Sequence, residues 1–531
     1  MIQPISVFKK ARSLQGLCMG LVYLASASAS ALELDWSGQF WSELQGLINY
    51  TMDASPNGGS ADLTRENAGG YYVRGGGVSN ASFQSLFMRL RPKMVVNDNI
   101  YIKSEFWLGD PQFGLFGSAY PYSPDQRQFY SSQSRGATLT AQRFWAEILT
   151  DVGTIQVGRV PLNWGLGIFW NSGENLWDRY MSTGDAVRWF AKFGSFSLIP
   201  SVVMSSTGNT IGGACLVQGG PGSETCSGGL GSAGVTDYSI ILKYENMDDD
   251  LEAGVNVIKR LAGSSQDPNY GVLVPETARV PGVAAQQAGS VNLMTYDLFV
   301  RKKFKKLTLS GELPIVSGEM GPSKVNTFGF AGEADYKWSS SLGALLRVGY
   351  APGQNNADAA SRANFNAFYF NPNYHLGMIL FNYQLANFSR PQTLNNPKLS
   401  PTGLRSIYDN PIVNATYLAL SVPFKPTDQF TIQPTLIYAS ALQSASAGDP
   451  YFYNSWQRTN QPNQAGRNQG KDLGLEADVG VTYQWDDAVQ IRWDGGVFFP
   501  GSFFAFSNAA SGVENSTSPV LATALRVGVN F

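Results

Sequence analysis

The side chains that could do chemistry in this chain of 531 residues divide into a scarce group and an abundant one. The scarce group holds one histidine, His375, and three cysteines. A serine hydrolase needs a nucleophile within reach of its imidazole base, and Asn373-Tyr374-His375-Leu376 lies beside an apolar run with no nucleophile motif near it. Zinc takes closely spaced His and Cys ligands, and no such grouping occurs. Neither catalysis nor a metal or cofactor is therefore expected. The abundant group is charged and regularly spaced. Ser85, Arg89, Arg91 and Lys93 fall opposite Leu86, Met88, Leu90 and Met94 in one alternating run. The same reading picks out Lys103, Glu105, Arg143, Glu147, Arg188, Glu312, Glu333, Asp335, Arg347, Glu476 and Asp478 as charges on one face of later runs. Such an array does electrostatic chemistry: it orients and filters polar solutes.

The elements that must hold these charges are β-strands. From Leu34 onward apolar and polar residues alternate with period two in segments about ten residues long, the length of a tilted membrane-spanning strand. The clearest case is the C-terminus, where Leu525, Val527, Val529 and Phe531 share one face and Ala524, Arg526, Gly528 and Asn530 the other. Turn-forming residues mark eight short connections, at 97–99, 151–153, 194–195, 246–250, 304–306, 338–341, 425–428 and 485–487. Between them lie Gly/Ser/Asn-rich stretches such as 50–82, 111–137, 207–235, 261–289 and 441–472, longer than loops of compact soluble domains. Eight hairpins plus a first strand (34–49) and a last (520–531) give eighteen strands. The segment 364–388 could be a ninth hairpin, giving twenty strands, or a folded part of a long external loop; its run around 377–381 does not alternate, which favours eighteen within a range of sixteen to twenty.

Composition agrees. Fifty-seven glycines, 13% aromatic and only 15% charged residues exclude a disordered chain, and 38 basic against 40 acidic residues leave no positive field for nucleic acid. Charges on inward faces would be very costly in a dry core, so the reading is an all-β, transmembrane antiparallel barrel with a wet interior and lipid as its outer partner. Trp36, Trp107, Trp145, Trp189, Trp338, Trp485 and Trp493, on or at the ends of strands, are expected to form interfacial girdles. The early strands lean basic and those around 312–335 and 476–478 acidic, which predicts a transverse field of mixed sign and modest selectivity.

Residues 1–31 read as a secretory signal peptide, with Lys9, Lys10 and Arg12 before an apolar stretch and a small-residue site at Ala29-Ser30-Ala31. Residues 32–531 then form the single barrel. Cys215 and Cys226 could close a loop disulfide in the oxidising compartment this address implies.

Two features carry a family likeness. Phe531, ending an alternating strand, resembles the C-terminal signature by which outer-membrane barrels are recognised by their assembly machinery. The run Gly158-Arg159-Val160-Pro161-Leu162-Asn163-Trp164-Gly165 resembles outer-membrane channels of the porin type, including the alginate-export-like barrels of Gram-negative bacteria, whose third external loop follows a Gly-Arg and Trp-Gly pattern. The resemblance implies a passive channel for small hydrophilic solutes, a homo-oligomer in some members, and a loop that folds inward. Here that loop would run from about Pro161 to Asp185 and present Glu174, Asp178, Arg179 and Asp185. An adhesin or surface scaffold, and an exporter of an anionic polymer, are the competing readings.

Overall fold

A computed structural model describes residues 33–50, 52, 81–109, 139–206, 235–262, 291–320, 323–361, 363–383, 385, 408, 410–454, 459–463, 466–506, 514 and 517–531. The region read as a signal peptide, Cys215 and Cys226 lie outside them. Among the described residues the chain forms a closed antiparallel barrel of eighteen strands. In chain order these are β1 Glu33–Ile48, β2 Ala81–Asn97, β3 Ile100–Leu108, β4 Leu139–Thr150, β5 Gly153–Pro161, β6 Thr183–Phe193, β7 Phe196–Ser206, β8 Val235–Asn246 and β9 Leu251–Ala262. They continue as β10 Val291–Phe304, β11 Leu307–Met320, β12 in two runs (Ser323–Phe328 and Phe330–Lys337), β13 Gly343–Ala351, β14 Ala415–Ser421, β15 Phe430–Ser440, β16 Asp472–Gln484, β17 Val489–Pro500 and β18 Val520–Asn530. Each strand pairs with its sequence neighbours, and β18 closes on β1 in a register running from Gln39↔Asn530 to Ile48↔Leu521. Phe531 seals the seam by exchanging two backbone hydrogen bonds with Gly38, at 2.7 and 3.0 Å.

All eight short connections fall where turn residues predict them. At Gly153 the turn requires glycine: φ is +129°, and a Cβ there would lie 2.1 Å from the Phe190 carbonyl oxygen. Among the described residues of the segment 364–388, none adds a hairpin to the wall. A small separate hairpin, Tyr451–Asn454 with Thr459–Pro462, lies in the stretch read as a plain loop.

Burial is inverted relative to a soluble sandwich. Leu44 is 51% exposed while its neighbour Glu43 is 1%, and Leu298 is 43% exposed while Asp297 is 0%. Large apolar side chains, among them Ile240, Val300, Leu418, Leu436 and Leu525, thus cover the outside and polar ones turn inward. A closed sheet with an apolar exterior satisfies every wall hydrogen bond internally and can face hydrocarbon. Trp36, Trp338, Trp485 and Trp493 are exposed, as an interfacial girdle requires of them. The girdle expectation fails for Trp107 and Trp145. Both turn inward, where their indole N–H groups donate to the carboxylates of Glu105 (2.6 Å) and Glu147 (3.0 Å).

Candidate functional site

Two segments leave the wall and turn into the barrel. The first, 162–182, joins β5 to β6; its departure is prepared by Gly158, whose φ of +128° and close approach to the Phe144 carbonyl admit no side chain. The second, 363–383, lies between β13 and β14. The first contacts β1, β2, β4, β10, β11 and β17, and the second contacts β12 through β17 and β1, a spread possible only from inside a closed sheet.

Backbone groups of these segments have no ladder to join, and an unpaired buried amide or carbonyl costs free energy. Wall side chains satisfy them. The Glu312 carboxylate on β11 accepts the N–H groups of Gly167, Ile168 and Phe169 at 2.9, 3.4 and 3.3 Å. On β16, Glu476 accepts those of Met378, Ile379 and Leu380 at 2.8, 2.7 and 2.5 Å, and Asp478 shares the Met378 N–H at 3.0 Å. Guanidiniums take the carbonyls. Arg89 donates to Gly173 O at 2.6 Å, Arg143 to Ser172 O, and Arg347 to His375 O and Leu376 O at 2.5 and 2.7 Å, while Arg188 takes Pro161 O, where β5 ends and the first segment begins, at 3.0 Å.

The two segments also hold each other. Asn371 N–H donates to Ile168 O at 2.7 Å. The Asn373 side chain accepts the N–H groups of Arg179 (3.2 Å) and Tyr180 (2.9 Å) and donates to Tyr180 O at 2.6 Å. Phe169 and Phe368 stack alongside, with ring centroids 6.4 Å apart.

On β2–β4 the first segment meets a mixed cluster. Glu105 pairs with Arg91 at 2.9 Å and Arg143 at 3.2 Å, and Glu174 reaches from the segment to the same two arginines, at 2.6 Å each. Glu105, Arg89 and Arg143 are sealed, whereas Arg91 stays 25% and Glu174 49% exposed. Lys93, beside them, pairs with Asp35 at 3.3 Å and is 38% exposed. On the adjoining strand β1, Glu43 binds both Arg179 and Arg526, and Arg526 continues to Asp494 at 2.8 Å. Arg179 also lies 3.8 Å from the ring centroid of Tyr408.

Asp178 is buried. Its carboxylate accepts the Asn175 N–H at 2.9 Å, its carbonyl accepts from Arg89, and burial pushes its carboxyl up to about 6. His375 is pushed down to about 3, by burial first and then by Arg179, Arg526 and Arg347, so its imidazole is neutral at physiological pH. Glu333 accepts a hydrogen bond from Tyr374 at 3.0 Å, and Asp335 sits two residues further along the same face of β12.

Asp185 departs from expectation. It belongs to β6, not to the loop, and shares the outward face of Val187; there it binds Arg159 on β5 through two contacts of 2.7 and 2.9 Å. The strand starts earlier than Gly184-Asp185 suggests because Gly184 lets the β7 residue Val203 pack into the space a Cβ would fill. Glu43 and Asn373 were not visible as site residues. Alternation in β1 places Glu43 opposite Leu44, but inward Trp41 and Leu47 blur that pattern, and Asn371-Pro372-Asn373 signals only a turn.

No protein-family model and no curated protein matches the chain by sequence. Among solved structures it is similar to a BenF-like porin from Pseudomonas fluorescens Pf-5 (8% identity, 94% of this chain and 98% of that one, TM-score 0.47). It is also similar to OccK8 (OprE) of Pseudomonas aeruginosa (8%, 94% and 98%, 0.45) and to OmpT, an outer membrane protein of Vibrio cholerae (8%, 95% and 99%, 0.34).

Proposed function

We propose that the chain is an outer-membrane channel through which small hydrophilic solutes diffuse passively, narrowed by the two inward segments. The observation that carries this reading is the Arg91–Glu174–Arg143 bridge. It is a charged contact between wall and inward segment whose carboxylate keeps about half its surface open, 49%, to water. Solvent thus reaches the inner edge of the segment, and charges of both signs meet it there. An aperture bounded by fixed charges of both signs favours polar solutes over apolar ones and discriminates weakly between anions and cations.

An exporter of an anionic polymer would favour a track of one sign, whereas the exposed inward cations here are interleaved with carboxylates: Lys93 with Asp35, Lys103 with Glu147, and Arg301 with Glu252. The seam contact of Phe531 supports its role as the strand end read by the assembly machinery, and the N-terminal 31 residues support export to the outer membrane. Purified protein in a planar bilayer is expected to give stepwise conductance with a reversal potential near zero under a salt gradient. Absence of steps across several salts and voltages would sink the channel reading.

A further inference from the structure

From the two carboxylate seats we infer that Glu312 and Glu476 are positioning residues that set the width of the aperture, and that they act on one body rather than two. The inference rests on the channel reading. Each carboxylate receives three consecutive backbone N–H groups of an inward segment, and both are fully buried by what they hold. Each seat is also shaped from the segment side by a glycine. A Cβ on Gly165, where φ is +58°, would lie 2.5 Å from Glu312 Oε2, and one on Gly377 would lie 2.6 Å from Glu476 Oε1. Between the seats the segments are bonded through Asn373 and through the Asn371 N–H to Ile168 O contact. The two segments therefore form one plate inside the barrel, seated by carboxylates on β11 and β16 and joined to each other between those seats.

A carboxylate can accept all three N–H groups, whereas an amide of the same shape turns an NH2 toward one of them and leaves it unpaired. Glu312→Gln and Glu476→Gln should each unseat the plate and at least double the single-channel conductance. Because both seats restrain one body, the double variant should conduct no more than the larger of the singles; energetic effects on a shared element are not additive. Gly165→Ala and Gly377→Ala attack the same seats from the segment side, leaving the wall sequence unchanged, with the Gly377 methyl meeting Ile437 as well as Glu476; they should reproduce the single effects, so a folding failure of the glutamate variants would not end the test. Heat-modifiable electrophoretic mobility reports whether each barrel has folded. A wild-type protein without conductance would defeat the channel reading itself. Folded variants of a conducting wild type that conduct unchanged would overturn the positioning roles, and a double variant whose effect is the product of the singles would overturn the single plate.

Discussion

The two inward segments reach the same interior by different physics. The 162–182 segment buries Leu162, Trp164, Ile168 and Trp170 at 5% exposure or less and is in addition tied to the wall by ion pairs. Arg89, Arg143 and Arg179 fix its carbonyls and its backbone course, and Glu105, Glu43 and Glu174 balance them. The 363–383 segment, seated on the charged Arg347 and Glu476, is otherwise held by burial: Phe365, Phe368, Phe370, Leu376, Ile379, Leu380 and Phe381 are all 4% exposed or less and join one large apolar cluster with Ala415, Tyr417 and Ile437 of the wall. The difference shows how one interior serves two demands. An aperture needs a polar edge, which charged contacts supply, and a polar segment inside a barrel needs a rigid backing, which the apolar segment supplies. Charged seats are specific but fail badly when one partner is lost; apolar seats degrade in proportion to the volume removed.

The contrast breaks most sharply at Arg143, which is 2% exposed and bonds Ser172 O, Glu105 and Glu174 at once. Arg143→Ala strands Glu105 beside fewer cations and should cost about 4 kcal/mol, the loss typical of one member of a buried ion pair. On the apolar side Leu380→Ala should cost about 3 kcal/mol through a cavity. Unfolding midpoints in detergent measure both losses, and a bilayer recording separates them further. Arg143→Ala should change conductance because it frees the polar edge, whereas Leu380→Ala should leave conductance near wild type while the barrel stays folded. Equal conductance changes in the two would erase the division of labour.

Legibility in the sequence follows the same divide. Strands and short turns announce themselves through period-two alternation and turn chemistry, which are local, so alternation and turn residues alone yield an eighteen-stranded wall. The inward direction of Arg89, Arg143, Arg347 and Glu476 was readable for the same reason. What those side chains bind was not, because their partners are backbone carbonyls and N–H groups, which every residue carries. Trp107 and Trp145 misled because an indole satisfies both a membrane interface and an inward carboxylate. The aromatic-rich stretch 364–388 stood out as failing to alternate, yet only the three-dimensional seat on Glu476 gives that failure a meaning.

A smaller effect sharpens the comparison within the charged cluster. Arg91 and Lys93 keep exposure, while Arg89 is sealed at 1% and committed to Gly173 O. Replacing Arg91 and Lys93 together by Ser should therefore move the reversal potential toward cation preference by removing two positive charges from the wetted wall. Arg89→Ser should instead alter conductance with little change in that potential. An unchanged reversal potential in the double variant would place the solute path away from this face of the barrel.

The smallest expected effect concerns Asp178, the buried carboxyl of the charge-held segment, raised chiefly by burial to about 6 from an ordinary value near 4. Between those two values the folded form binds more protons than the unfolded one, so its contribution to stability is fully present at low pH and falls as pH rises from about 4 to about 6. Asp178→Asn keeps an oxygen to accept the Asn175 N–H and carries no charge. The variant should be slightly more stable than wild type at neutral pH, and its stability difference from wild type should shrink as pH drops through that window. The 363–383 segment has no counterpart response to offer, because its histidine titrates near 3 and stays neutral throughout. Unfolding midpoints of wild type and Asp178→Asn at pH 4, 5, 6 and 7 test the assignment, and a difference independent of pH would mean that the carboxyl of Asp178 reaches water.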